Sequence, residues 1–102
     1  MNKMKYSVLI YPKAENDLSE IKTYFEEVLK TTSISLFEKF FKEIDNLEDN
    51  PYAYPLLKDP HLNHLGYRII PIDNFIVFFI IKDKEVQIHR FLYGRRNYHL
   101  LF

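Results

Sequence analysis

Seven consecutive apolar residues, Phe75-Ile76-Val77-Phe78-Phe79-Ile80-Ile81, restrict this chain more than any other stretch. The mixture of β-branched and aromatic side chains favours a strand. Successive side chains of a strand point to opposite faces, so this one is apolar on both. An antiparallel strand wetted on one face alternates apolar with polar residues instead. Both faces of this strand therefore need a cover. Helices can supply one. The other is either the chain's own connector and tail or a second polypeptide lying in a groove, and the sequence leaves both open.

The helical cover is legible upstream. Between Lys13 and Lys30 the residues Ala14, Leu18, Ile21, Phe25 and Val28 recur at spacings of four and three, one stripe of an amphipathic helix. Its other face carries Glu15, Asp17, Glu20, Lys22, Glu26 and Glu27. Thr31-Thr32-Ser33 breaks the pattern and offers an N-cap. A second helix to about Glu48 places Phe37, Phe40, Phe41, Ile44 and Leu47 on one side. Helices this closely linked form an antiparallel hairpin.

Strands flank the hairpin. Lys5–Tyr11 is β-rich and stopped by Pro12. After a connector from Asp49 to Leu65, whose Pro51, Pro55 and Pro60 oppose regular structure, strands are expected at Tyr67–Ile72, Phe75–Lys82 and Val86–Tyr93. Asp73-Asn74 suits the tight turn between the first two. The expected fold is α+β, in the order β-α-α-β-β-β: a small antiparallel sheet with an N-terminal helical hairpin packed on one face. A chain of 102 residues makes this one domain, 1–102.

Charge narrows the partners. The net charge is zero, yet residues 1–59 hold eight lysines against eleven acids, a net of −3, and residues 60–102 hold six cations against three acids, a net of +3. All four arginines and all four histidines lie in the second part. Such polarity points to an anionic partner for the C-terminal part, not to a strongly basic nucleic-acid binder. The chain has no cysteine, so disulfides are excluded. No metal or cofactor is expected, and His61-x-x-His64 lacks a third ligand at a telling spacing. The N-terminus has no secretory pattern and no stretch suffices to span a bilayer, so a cytoplasmic protein without a membrane partner is expected.

The order of short motifs resembles the RelE/ParE toxin family. Gly66-Tyr67-Arg68-Ile69-Ile70 matches its strand entry, and Val86-x-Ile88-x-Arg90-Phe91-Leu92-Tyr93-Gly94-Arg95-Arg96 its last strand and turn. Ala14-Glu15-Asn16-Asp17-Leu18 resembles its first helix start, and Asn50-Pro51 its connector. The resemblance implies a growth-arresting toxin of a bacterial type II toxin–antitoxin system, held inactive by a cognate antitoxin that wraps over its grooves. It implies one of two targets: DNA gyrase, blocked by binding, or ribosome-bound messenger RNA, cleaved without a metal. A degenerate module that only binds the antitoxin is a further reading.

Cleaving RNA needs a base, an acid and cations around the phosphorane. The residues that could serve are Arg96, His61, Asp73, Tyr98 and His99. Residues that could instead bind target or antitoxin are Arg68, Arg90, Arg95, Arg96, Phe75 and Tyr93. Two departures favour the binding toxin. Phe75 stands where the nuclease branch often carries an arginine, and Phe102 ends the chain where some nucleases use a tyrosine. Neutral overall charge also fits poorly with docking on ribosomal RNA.

Overall fold

The computed structural model describes residues 5–94. Strand β1 (Ser7–Ile10) leads through Tyr11 into helix α1 (Pro12–Thr23), which begins on a proline. Proline suits that position, because the first N–H of a helix has no partner to lose. Helix α1 widens into a π-helical turn at Tyr24–Val28, where the Leu29 N–H donates to the Tyr24 carbonyl. The wider turn breaks the spacing of four and three: Phe25 stays half-buried, whereas Val28, counted with the apolar stripe, is 62% exposed. Lys30, at φ 54°, ends the helix in the left-handed conformation.

Helix α2 (Ile34–Asp49) differs from expectation at its start and on its buried face. The Ser33 side chain makes no cap; the Thr32 hydroxyl accepts from the Ile34 N–H at 3.2 Å instead. Leu36, Phe40 and Leu47 are buried, while Phe41 is 52% exposed. The stripe is thus rotated away from Phe41 toward Leu36.

The connector is more ordered than its prolines suggest. Pro51 opens a 3-10 turn (Pro51–Ala53), and Pro60 opens a short helix, α3 (Pro60–His64), capped by Asp59 accepting from the Leu62 N–H at 3.1 Å. Both prolines occupy the first turn, where their rings are tolerated. Strands β2 (Arg68–Ile72), β3 (Phe75–Lys82) and β4 (Glu85–Tyr93) follow as two hairpins. Asp73 and Asp83 take the positive φ of the turns.

The sheet order is β1-β4-β3-β2, and it is mixed. The three C-terminal strands are antiparallel, but β1 lies parallel to β4, Ser7 opposite Glu85 through Ile10 opposite Ile88. A parallel neighbour requires a long connection, here the helical hairpin, the connector and strands β2 and β3. Register slips between Phe78/Phe79 of β3 and β4: Phe78 faces Arg90 and Phe79 faces Ile88, leaving His89 over. This bulge lets Ile88 and Phe91, three apart, both reach the helices.

Two cores result. The larger joins α1 and α2 to the sheet through Ala14, Leu36, Phe40, Leu47, Val77, Phe79, Ile88 and Phe91. The smaller lies on the other face, where Leu57, Leu62 and Tyr67 cover Phe78 and Leu92. Val77, Phe78 and Phe79 are all fully buried. The connector therefore supplies the second cover demanded by the apolar strand, and no other polypeptide is needed over Phe78.

Candidate functional site

Strand β1 pairs with β4 only as far as Ile88. Beyond it, the side of β4 that has no neighbour among the described strands runs beside α1, and the gap between them is a cleft of about 650 Å³. Ile21, Tyr24, Phe25 and Leu29 form the helical wall; Phe75, Phe91, Leu92 and Tyr93 form the strand wall; Asp17 and Glu20 lie at one end.

An ion pair holds the two walls together. Asp17 of α1 accepts from Arg90 Nε at 2.8 Å, from Arg90 Nη2 at 2.9 Å and from the Phe91 N–H at 3.0 Å. The side chains are 7% and 15% exposed. Hydrogen bonding to Asp17 holds the Arg90 proton more firmly than usual, against the opposing effect of burial. The carboxylate thus closes an edge N–H that no described strand reaches. The sequence pattern puts Asp17 on the charged outer face of the helix; its place beside Ile21 at the border of the apolar stripe, together with an arginine inside a strand, is the signal for a buried pair.

The cleft floor is aromatic. The Phe75 ring stacks on Phe91 at 5.6 Å, meets Tyr93 edge-on at 5.8 Å and tilts against Phe25 at 6.5 Å. Phe40 packs edge-on to Phe91 from α2 at 4.9 Å. Tyr24, Leu29 and Tyr93 stay 51%, 48% and 42% exposed at its mouth.

On the other side of β4, the bulged His89 joins a polar chain. The Tyr67 hydroxyl lies 2.7 Å from His89 Nδ1, His89 Nε2 lies 3.2 Å from the Gln87 amide oxygen, and the Gln87 amide donates to Glu85 at 2.8 Å. Gln87 presents its oxygen, so His89 carries its proton on Nε2 and accepts from Tyr67. Tyr11 stacks on the imidazole at 4.7 Å. Burial lowers the His89 pKa, and burial raises that of Tyr67, with Arg90 pulling the latter down.

The remaining candidates are dispersed. Arg68 donates to the Tyr54 carbonyl at 2.6 Å and lies 5.1 Å from the Tyr52 ring centre, so it fastens the connector to β2. Beside it the Tyr54 hydroxyl donates to Glu43; burial and that carboxylate push its pKa up to about 12. Asp73 bonds Lys39 of α2 at 2.8 Å. His61 is exposed on α3, whose Leu62 seals the opposite face of the sheet. Asp73 and His61 are therefore not brought together. Among the described residues no cluster of three His, Asp or Glu could hold a metal, and no helix is long and apolar enough to cross a membrane. Arg95, Arg96, Tyr98 and His99 lie outside the described residues.

The mixed four-stranded sheet backed by a helical hairpin is the fold of a class of small toxins. A solved chain described as "Chromosomal ParDE TA system from P. aeruginosa" superposes with a TM-score of 0.69 at 21% identity, covering 89% of this chain and 98% of that one. The sequence profile of the ParE toxin of the type II toxin–antitoxin system parDE matches residues 8–98. The chain belongs to the ParE toxin family. None of the curated proteins matches its sequence.

Proposed function

We propose that this chain arrests growth by binding, not by cutting: it is the toxin of a type II pair, neutralised by a cognate antitoxin and directed at DNA gyrase. Phe75 carries the preference for binding. A metal-independent nuclease needs cations and proton-transfer groups converging on one phosphate. Where an arginine would serve such chemistry, Phe75 stacks into an aromatic floor with Phe91 and Tyr93. Arg68 and Arg90 are held by internal partners, Tyr54 and Asp17. Asp73 is held by Lys39.

The cleft floored by Phe75 and rimmed by Tyr93 is the docking place for the antitoxin in this reading. Its exposed aromatic and aliphatic mouth, flanked by polar residues, is the usual make-up of a protein-binding patch. Arg95 and Arg96 follow directly on β4 in sequence and are the cations proposed to meet the target or the antitoxin.

Expression of the chain alone, with DNA damage and message integrity followed together, tests the proposal. Induction of the SOS response with intact messages is expected. Rapid cleavage of translated messages, weakened by Arg96→Ala, would establish the nuclease reading instead. Normal growth under strong expression would leave only an antitoxin-binding module.

A further inference from the structure

We infer that helix α2 pairs with α2 of a second copy of this chain, antiparallel about a twofold axis near Lys39. The pairing is independent of the toxin reading and of the cleft.

Three observations carry it. First, α2 has an apolar seam beside its buried stripe. Ile34 and Phe41 lie two turns apart and stay 63% and 52% exposed, and the partly buried Phe37 and Ile44 join them into one row. Single exposed apolar residues are ordinary. Four at spacings of three, four and three form the kind of seam by which one helix packs along another. Second, the seam reads the same in both directions. Ile34, Phe37, Phe41 and Ile44 are a palindrome about position 39, so an antiparallel copy sets Ile34 opposite Ile44 and Phe37 opposite Phe41. A twofold contact needs such self-complementarity. Third, the charges beside the seam select the antiparallel arrangement. Ser35, Glu38, Lys42 and Asp45 follow one another along that border, all exposed, and neither Glu38 nor Lys42 makes an ion pair among the described residues. Antiparallel pairing brings Glu38 of each copy to Lys42 of the other. Parallel pairing in register would set Glu38 against Glu38 and Lys42 against Lys42. A contact of one helix per copy lies at the small end of interfaces, below about 1,200 Å² in total, so the dimer is weak and concentration-dependent.

Sedimentation equilibrium of the full chain between about 1 and about 100 µM should show monomer giving way to dimer. Phe41→Ser should stay monomeric across that range with unchanged far-UV dichroism. Glu38→Lys gathers lysines at the contact, twice over by symmetry, and should weaken the dimer about 10-fold at low salt. Adding Lys42→Glu should restore it. Because the chain has no cysteine, Ile34→Cys and Ile44→Cys proteins can be mixed and oxidised, and the 34–44 crosslink should form ahead of the 34–34 one. The charge series and the crosslink decide the matter even if Phe41→Ser unfolds. A chain that is monomeric at the highest concentration overturns the inference, as does a dimer that survives Phe41→Ser. So does a Glu38→Lys loss that Lys42→Glu leaves in place, or a dominant 34–34 crosslink. A dimer dissociated by Leu29→Asp and not by Phe41→Ser would put the second copy in the cleft, and that too would remove α2 as the interface.

Discussion

Asp17 on α1 accepts three hydrogen bonds from β4, two from the Arg90 guanidinium and one from the Phe91 backbone. This carboxylate joins the helical hairpin to the strand at the point where β1 stops, and so sets the width of the cleft. Removing one partner of a buried pair strands the other charge, at a cost of about 3–5 kcal/mol. Asp17→Ala should lower unfolding free energy by that amount, read from urea midpoints. Replacing both, Asp17→Leu with Arg90→Met, should recover much of the loss. It should not recover all, since the Phe91 N–H then loses its acceptor, worth about 1–3 kcal/mol when buried. A double variant no better than Asp17→Ala would show that the pair is not the tie.

Leu62 decides whether the sheet's second face is sealed from within. It is fully buried against Phe78 and Leu92. Leu62→Ala should cost about 2–5 kcal/mol in the isolated chain and expose the face to a hydrophobic dye. If a partner supplied that cover, the same change would be nearly neutral without the partner.

How much of this was legible follows element by element. The element order and the two-faced β3 came from periodicity, which is local. The mixed sheet did not, because nothing local distinguishes a first strand that pairs parallel from one that pairs antiparallel. The π turn after Thr23 and the bulge at His89 each insert one residue, and a single insertion rotates every later side chain. That is why regular spacing puts Val28 inward while the structure exposes it, and why Ile88 and Phe91 escape strict alternation. The connector's helix was hidden by its own prolines, which mark a break in mid-helix but a start at the first turn. Of the residues lining the cleft, Phe75 and Tyr93 are legible in the sequence as candidates for binding a target or antitoxin. Asp17 was not, because its partner lies 73 residues away and helical spacing alone reads it as solvated.

His89 makes stability depend on pH with a definite sign. Burial lowers its folded pKa below the ordinary 6.5, so the unfolded chain binds its proton more readily. The full contribution is present above about pH 6.5 and declines as pH falls toward the folded value. Protonation would also place a hydrogen on Nδ1, facing the Tyr67 hydroxyl that now donates to it. Urea midpoints should therefore fall between about pH 7.5 and about pH 5 by more in the wild type than in His89→Gln. His61 and His64, both exposed, serve as controls, and an equal fall in their glutamine variants and in His89→Gln would remove His89 as the cause.

The chain's two glycines can be separated by substitution, because they are required for different reasons. Gly66 follows α3 at φ 87°, with its N–H donating to the Asn63 carbonyl and the next N–H to that of Leu62. A Cβ there would meet nothing within 4 Å, so the obstacle is backbone conformation alone. Alanine should cost about 1–2 kcal/mol, and asparagine, which tolerates the left-handed region, less. Gly94 has no such φ; instead an added Cβ would lie 3.2 Å from the Ile76 side chain and 3.3 Å from the Asn74 carbonyl oxygen. Here alanine should cost about 1–3 kcal/mol through crowding, and asparagine more, not less. Trimming Ile76 to alanine should shrink the Gly94→Ala penalty, giving a coupling of about 0.5–3 kcal/mol, while leaving the Gly66→Ala penalty untouched. If Gly94→Asn proved milder than Gly94→Ala, or if Ile76→Ala changed neither penalty, contact with Ile76 would not be what keeps the glycine at the end of β4, immediately before Arg95 and Arg96.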